Sequence, residues 1–234
     1  MAPVILYDIP TKAPTKAWSL NPWKTRLVLN YKVIDYKTEW VEYPDLKTTF
    51  KDLGLPPNDK NDPEYYMDYT SPAVKFEDGT LVMNSWKIAP EIEKRYPSPS
   101  LHLDEPVNVQ VRDNVEELLQ TLTANVIPKI ATNVLTEPSK LYFERTRAEM
   151  SGLALDRWEA ERGGEKCWNE VKKPAQETAE LLRKNEVSYA DFIFVSFLHF
   201  LKCLGENYFE RFVSLDPAFA NVYDASEKWL KRDD

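Results

Sequence analysis

The sequence predicts an α+β chain in two parts: a β-α-β-α-β-β-α unit over about the first hundred residues, then an all-helical part. Three observations predict it. Short β-rich runs and helical stretches alternate up to Arg95, an Asp-Gly turn joins two apolar runs, and beyond the proline-rich stretch Tyr96-Pro97-Ser98-Pro99 the apolar residues recur only at helical spacing. With 234 residues, 43% of them hydrophobic, and only 6 Gly, the chain can bury a sizeable core. A formal net charge of -8 argues against nucleic acid or an anionic membrane as the main partner, because both select basic surfaces.

Val4-Ile5-Leu6-Tyr7 reads as the first strand, and its apolar run is too short, and lacks the basic flank, for a signal peptide. Residues 9–18 carry two prolines and two lysines and read as an exposed flap. In Trp18-Ser19-Leu20-Asn21-Pro22, Asn21 is a favoured N-cap and Pro22 suits the first helical position; Trp23, Leu27 and Tyr31 then recur at helical spacing. Ser19 thus sits beside unpaired N–H groups at the positive end of a helix, a setting that holds an anion or a thiolate. Residues 35–43 alternate as a second strand, which Pro44 ends, and residues 45–53 can form a short helix. Residues 55–63 are polar, proline-rich and too irregular for core. The runs at 73–76 and 81–83 flank Glu77-Asp78-Gly79-Thr80, a hairpin signal, and Ser85 opens a helix that stops at Tyr96-Pro97.

The boundary falls between Pro97 and Pro106. Helices follow near 107–135 with Pro128 as a kink or break, 139–152, 168–184, 188–204 and 224–231. The most apolar stretch, 192–204, is interrupted by Ser196, His199 and Lys202 and is too short to span a bilayer. Cys167 and Cys203 are the two cysteines, and no Asn-X-Ser/Thr sequon occurs, which suits a reducing cytosol. Two His and two Cys, all far apart, give no metal-site spacing. His199 and both cysteines read as packed residues, not as a base or nucleophiles.

This element order, with a serine just ahead of the first helix, resembles the cytosolic glutathione transferase family. Tyr69-Thr70-Ser71-Pro72-Ala73-Val74 resembles its cis-proline loop. Asn84-Ser85 opens the next helix where the family has an acidic residue and a serine, and Ser188-Tyr189-Ala190-Asp191, flanked by Val187 and Phe192, looks like its buried capping box and hydrophobic staple. Residues 18–26, the insertion before Ser71 and residues 142–147 are most similar to the fungal etherase-like class, related to bacterial lignin β-etherases.

The resemblance implies a thioredoxin-like glutathione-binding domain over residues 1–97 and an all-α domain over 106–234 that completes a hydrophobic-ligand site. It implies glutathione as co-substrate with no permanently bound cofactor, an aromatic small-molecule ligand, a cytoplasmic homodimer and a role in xenobiotic detoxification. Ser19 takes the thiolate-stabilising position, with Asn21 as helper or rival. Ser71, Pro72, Asn84, Ser85 and Trp23 are the implied glutathione-binding residues, Trp18, Tyr65 and Tyr66 the hydrophobic-ligand residues, and Ser188 and Asp191 a structural pair. Two departures matter: Ser71 replaces the usual Val or Ile, and Asn84 replaces an acid. They keep open a carrier of aromatic ligands with little turnover, and a glutathione-dependent etherase or isomerase remains a further alternative.

Overall fold

The computed structural model describes residues 3–14, 16–61, 65–183 and 186–233. Its first part holds β1 (Val4–Asp8), α1 (Leu20–Tyr31), β2 (Tyr36–Trp40), α2 (Leu46–Asp52), β3 (Ala73–Lys75), β4 (Leu81–Met83) and α3 (Ser85–Arg95). The sheet order is β2-β1-β3-β4, with β1 and β2 parallel and the other pairings antiparallel. Central β1 has its inward faces covered by helices, so Val4, Leu6 and Tyr7 are buried, and even its terminal Asp8 is fully enclosed. That buried charge is paired with Arg26 of α1 at 2.9 Å, and Arg26 also donates to the Thr38 hydroxyl at 3.1 Å. Burial pushes the Asp8 carboxyl up from its ordinary range, against the opposing pull of Arg26.

The helical part comprises α4 (Val107–Lys129), α5 (Glu137–Ser151), α6 (Leu155–Arg162), α7 (Glu165–Glu170), α8 (Lys172–Leu182), α9 (Tyr189–Leu204), α10 (Glu206–Val213), α11 (Pro217–Ala225) and α12 (Glu227–Leu230). Between α4 and α5, just after Pro128, residues Ile130–Val134 form a π-helical turn, the break expected from a proline that cannot continue the α-helical ladder. Helix α9 is the centre of this part: Phe192, Ile193, Phe194, Val195, Phe197 and Leu198 are all inaccessible, and it packs on α4, α10 and α1. Rings from α9, α10 and α11 interlock, with Phe194–Phe219 and Phe197–Phe212 centroids both 4.9 Å apart. No described helix is long and apolar enough to cross a membrane.

Helix α9 begins as its sequence predicts. The Asp191 carboxylate accepts the Ser188 backbone N–H at 2.7 Å, completing a capping box, and the Ser188 hydroxyl turns to the same oxygen at 3.3 Å. Phe192 is fully buried and Val187 half-buried against the core.

Several expectations are corrected. Asn21 is not the N-cap: the cap falls two residues earlier, at Ser19, α1 starts at Leu20, and Asn21 and Pro22 lie in the first turn. Residues 9–18 are exposed only in part: Lys12, Ala13, Pro14 and Lys16 are exposed as expected, but Ile9, Ala17 and Trp18 at the two ends are buried, and the Lys12 N–H donates to the Val134 carbonyl at 2.9 Å, which stitches the loop to the π turn. Residues 168–184 divide into α7 and α8, while α6, α10 and α11 had no counterpart in the sequence reading. In the irregular stretch at 55–63, Leu55 is buried and Asn58 is tied to the Asp68 carbonyl at 2.7 Å; residues 62 and 63 lie outside the described residues.

His199 of α9 packs against Trp23 of α1, the ring centroids 4.4 Å apart and the planes tilted by 59°, and its Nδ1 meets the Tyr223 hydroxyl at 2.8 Å. Burial, with Lys202 and Arg26 adding to it, lowers its pKa to about 4. An unfolded histidine takes a proton near pH 6.5 and the folded one does not, so stability present at neutral pH is lost as pH falls from about 6.5 to about 4, by ~3 kcal/mol. The melting temperature of the parent should fall over that window, and His199→Gln should flatten the slope; equal slopes would contradict it. Asp191→Ala should cost ~1–3 kcal/mol in denaturant titration while turnover per folded molecule survives.

Candidate active site

The loop-to-helix starts on the sheet side and the walls of α4 and α5 enclose a cavity of about 490 Å³. Ser19, Asn21 and Lys24 line it from α1, Ser71 and Pro72 from the turn before β3, and Asn84, Ser85 and Trp86 from the start of α3. Arg112, Val115, Glu116 and Leu119 come from α4 and Phe143 and Arg147 from α5.

Ser19 is placed by its backbone, extended at φ -76 and ψ 133, with its carbonyl accepting the Trp23 N–H at 3.0 Å. Its hydroxyl oxygen accepts no capping bond from the helix, and Ser19 lines the cavity at the mouth of α1. Opposite, the Ser71–Pro72 bond is cis, the Pro72 carbonyl accepts the Asn84 N–H at 3.1 Å, and the Ser71 hydroxyl donates to the Tyr7 carbonyl at 3.2 Å. The two hydrogen bonds tie the strip before β3 to β1 and to the start of α3, and the strip lines the same cavity as Ser19. Asn84 adopts φ 81, a region Asn tolerates better than most residues, and its side-chain oxygen accepts the Trp86 N–H at 2.9 Å, capping α3. Buried Ser85 is therefore the first residue of that helix, and its carbonyl accepts the Tyr189 hydroxyl at 3.1 Å, linking the site to the start of α9.

The rest of the wall is aromatic. Trp18 lies 6.5 Å from Tyr43 and 6.3 Å from Phe200, and Tyr43 lies 5.8 Å from Phe143. The Tyr43 backbone is held by the Ser139 hydroxyl at 2.9 Å, and its phenol is raised by burial and remains neutral. Tyr65 donates to Asp68 at 2.8 Å, and half-exposed Tyr66 closes over α5, with the Arg147 guanidinium 5.5 Å from its ring.

One expected ligand residue is elsewhere. Trp23 does not line the cavity: it is fully buried, donates from Nε1 to the Ala17 carbonyl at 3.1 Å, and packs α1 on α9. Ser188 and Asp191 also lie off the cavity, at the start of α9. Neither thiol lines the cavity, and burial favours their neutral form, pushing Cys203 up to about 12 and raising Cys167 as well. Lys24, Arg112, Glu116, Tyr43, Phe143 and Arg147 are cavity residues that sequence reasoning missed. The i, i+4 spacing of Phe143 and Arg147 was the available signal that the two share a face.

The N-terminal domain profile of the glutathione S-transferases matches residues 18–95 and the C-terminal domain profile matches residues 110–227, so the chain belongs to the glutathione S-transferase family. It is similar to glutathione transferase GSTFuA3 from Phanerochaete chrysosporium, at 29% identity, with 98% of each chain covered and a TM-score of 0.87. It is likewise similar to the glutathione S-transferase CsGST63524 of Ceriporiopsis subvermispora, solved in complex with glutathione, at 30% identity, covering 97% of this chain and 98% of that one, with a TM-score of 0.85. A curated relative is the glutathione S-transferase-like protein ustS of Aspergillus flavus, 28% identical over 98% of this chain and 92% of its own length.

Asn84 shapes the α3 end of the cavity by its cap and its φ together. Asn84→Ala should cost ~1–2 kcal/mol and Asn84→Gly only a few tenths, because glycine keeps the backbone while losing only the side-chain bond. Thermal denaturation of the two variants checks the order; an alanine variant as stable as the glycine one contradicts it.

Proposed function

We propose that the protein is a serine-type glutathione transferase that conjugates or thiolyses aromatic, plant-phenolic-type electrophiles. The observation that carries this reading is the uncapped Ser19 hydroxyl at the start of α1, facing the cis-Pro72 strip across one cavity. In it, glutathione lies along Ser71 and Pro72, its γ-glutamyl carboxylate meets the Ser85 hydroxyl at the positive end of α3, and its sulfur accepts the Ser19 hydrogen bond. A thiol of ordinary pKa ~8.5 must drop by about two units, ~2.7 kcal/mol, to be largely ionised at neutral pH. One hydrogen bond to a charged atom supplies ~1.5–3 kcal/mol and a helix start ~0.3–1 more, so a single hydroxyl suffices. The thiolate then attacks the electrophilic carbon, a C–S bond forms, and the leaving group departs with its electron pair.

The aromatic wall of Trp18, Tyr43 and Phe143, with Tyr65 and Tyr66 at its edge, favours flat co-substrates, since stacking adds ~0.5–1.5 kcal/mol beyond area burial. The reading assigns residues 1–97 to glutathione and 106–234 to the second substrate, and takes the chain as a cytoplasmic homodimer serving detoxification. A carrier role is favoured by one observation: Asn84 spends its oxygen on its own helix and brings no charge for the glutathione ammonium. Glu116 is the carboxylate that lines the cavity in its stead.

Ser19→Ala should lower the conjugation rate ten- to a thousandfold, the range for losing one ~1.5–4 kcal/mol interaction at a charged sulfur, with little change in glutathione affinity. Steady-state kinetics with a chloronitrobenzene decide it: a fully active variant moves the role to Asn21. Hydroxylated aromatic ketones or flavonoids should bind at micromolar levels, ~8 kcal/mol, competing with the aromatic co-substrate and not with glutathione. Thermal shift and competition with such a panel check this, and a panel that neither stabilises nor inhibits contradicts it.

A further inference from the structure

Arg147 stands at the far end of the aromatic wall that starts beside Ser19. The wall is continuous: Trp18 next to Ser19 contacts Tyr43 at 6.5 Å, Tyr43 contacts Phe143 at 5.8 Å, and the Arg147 guanidinium lies 4.4 Å from the Phe143 centroid and 5.5 Å from that of Tyr66. Held between two rings, the guanidinium has little freedom and is partly stripped of water. Among the described residues its hydrogen bond runs from Nη1 to the neutral Thr146 hydroxyl at 3.2 Å. A guanidinium has five N–H donors in a planar fork, so most of them remain for a ligand. The two other cations on the wall, Lys24 and Arg112, come from α1 and from α4 beside Trp86, 4.6 Å from that ring, on the side of Ser19 and Ser85. Arg147 is the cation of the aromatic side.

We infer that Arg147 is a specificity-determining residue that selects aromatic co-substrates bearing an anionic oxygen, a ring carboxylate or an acidic phenolate, with the electrophilic carbon at the opposite end of the molecule. This rests on the proposed glutathione transferase reading and narrows its substrate class. A stacked, half-desolvated guanidinium binds a carboxylate in a bidentate fork, and the wall between it and Ser19 accepts the intervening ring. In the reaction, the glutathione thiolate forms a C–S bond to the ring carbon that carries chlorine, chloride leaves with the bonding pair, and the thiol proton goes to solvent.

The test compares 4-chloro-3,5-dinitrobenzoate with the neutral 1-chloro-2,4-dinitrobenzene. The readout is the ratio of kcat/KM for the anionic over the neutral electrophile. Arg147→Gln should lower that ratio at least tenfold, ~1.4 kcal/mol, and Arg147→Lys should recover part of it. A ratio within twofold of the parent in Arg147→Gln overturns the inference, as does an equal loss with both electrophiles, which marks a merely structural arginine. Binding of unreactive 3,5-dinitrobenzoate and 1,3-dinitrobenzene, followed by indole fluorescence, separates the two readings. A parent that turns over neither electrophile yet prefers the benzoate, with the preference erased in Arg147→Gln, retains this inference and refutes the transferase reading; no preference in the parent overturns this inference alone.

Discussion

The ion pair between Asp8 and Arg26 fixes helix α1 on the sheet, and the position of Ser19 depends on it. Both side chains are fully buried and 2.9 Å apart, at the end of β1 and two turns into α1. Removing one partner would strand the other in a medium where an unpaired charge costs ~3–5 kcal/mol, so the helix has one seat on the sheet. Its other face is held by Trp23 against His199 of α9. Pinned on both faces, α1 presents its N-terminal turn and the uncapped Ser19 hydroxyl at a fixed place over the cavity.

The facing strip is positioned by separate means that converge. Ser71 is bonded back to the Tyr7 carbonyl on β1, and Pro72 to the Asn84 N–H, so strand β1 carries restraints for both halves of the site: Asp8 for α1 and Tyr7 for Ser71. The tie from Tyr189 to the Ser85 carbonyl then couples the start of α3 to the start of α9, where Ser188 and Asp191 form their capping box. The capping box thus stands behind the site without entering it.

Much of this was legible in the sequence because it rests on local chemistry. The Asp-Gly hairpin, the Asn84-Ser85 helix start, the break at Pro128 and the Ser188–Asp191 box are encoded within four or five residues. What was missed is tertiary. Trp23 is a glutathione-binding residue by the family resemblance, but in the structure its side chain packs on His199 of α9. Residues 9–18 carry two prolines and two lysines and are partly exposed, yet the Lys12 N–H bond to Val134, more than a hundred residues away, ties the loop to the helical part. Helices α10 and α11 are short and escape periodicity, although Asp216-Pro217, where the Asp216 carboxylate accepts the Ala218 N–H at 2.8 Å, was a helix-start signal in plain view. The i, i+4 spacing puts Arg147 on the face of Phe143, but its place beside Tyr66, from a distant segment, is tertiary.

The central claim is that a single hydroxyl at the mouth of α1 ionises the glutathione thiol. Ultraviolet titration of the thiolate in the binary complex with glutathione tests it most directly, because it reads the sulfur's charge without any chemical step. The account predicts an apparent pKa about two units below the ordinary ~8.5 in the parent, returning to about the ordinary value in Ser19→Ala. An equally depressed pKa in both proteins, or an undepressed one in the parent, would contradict it.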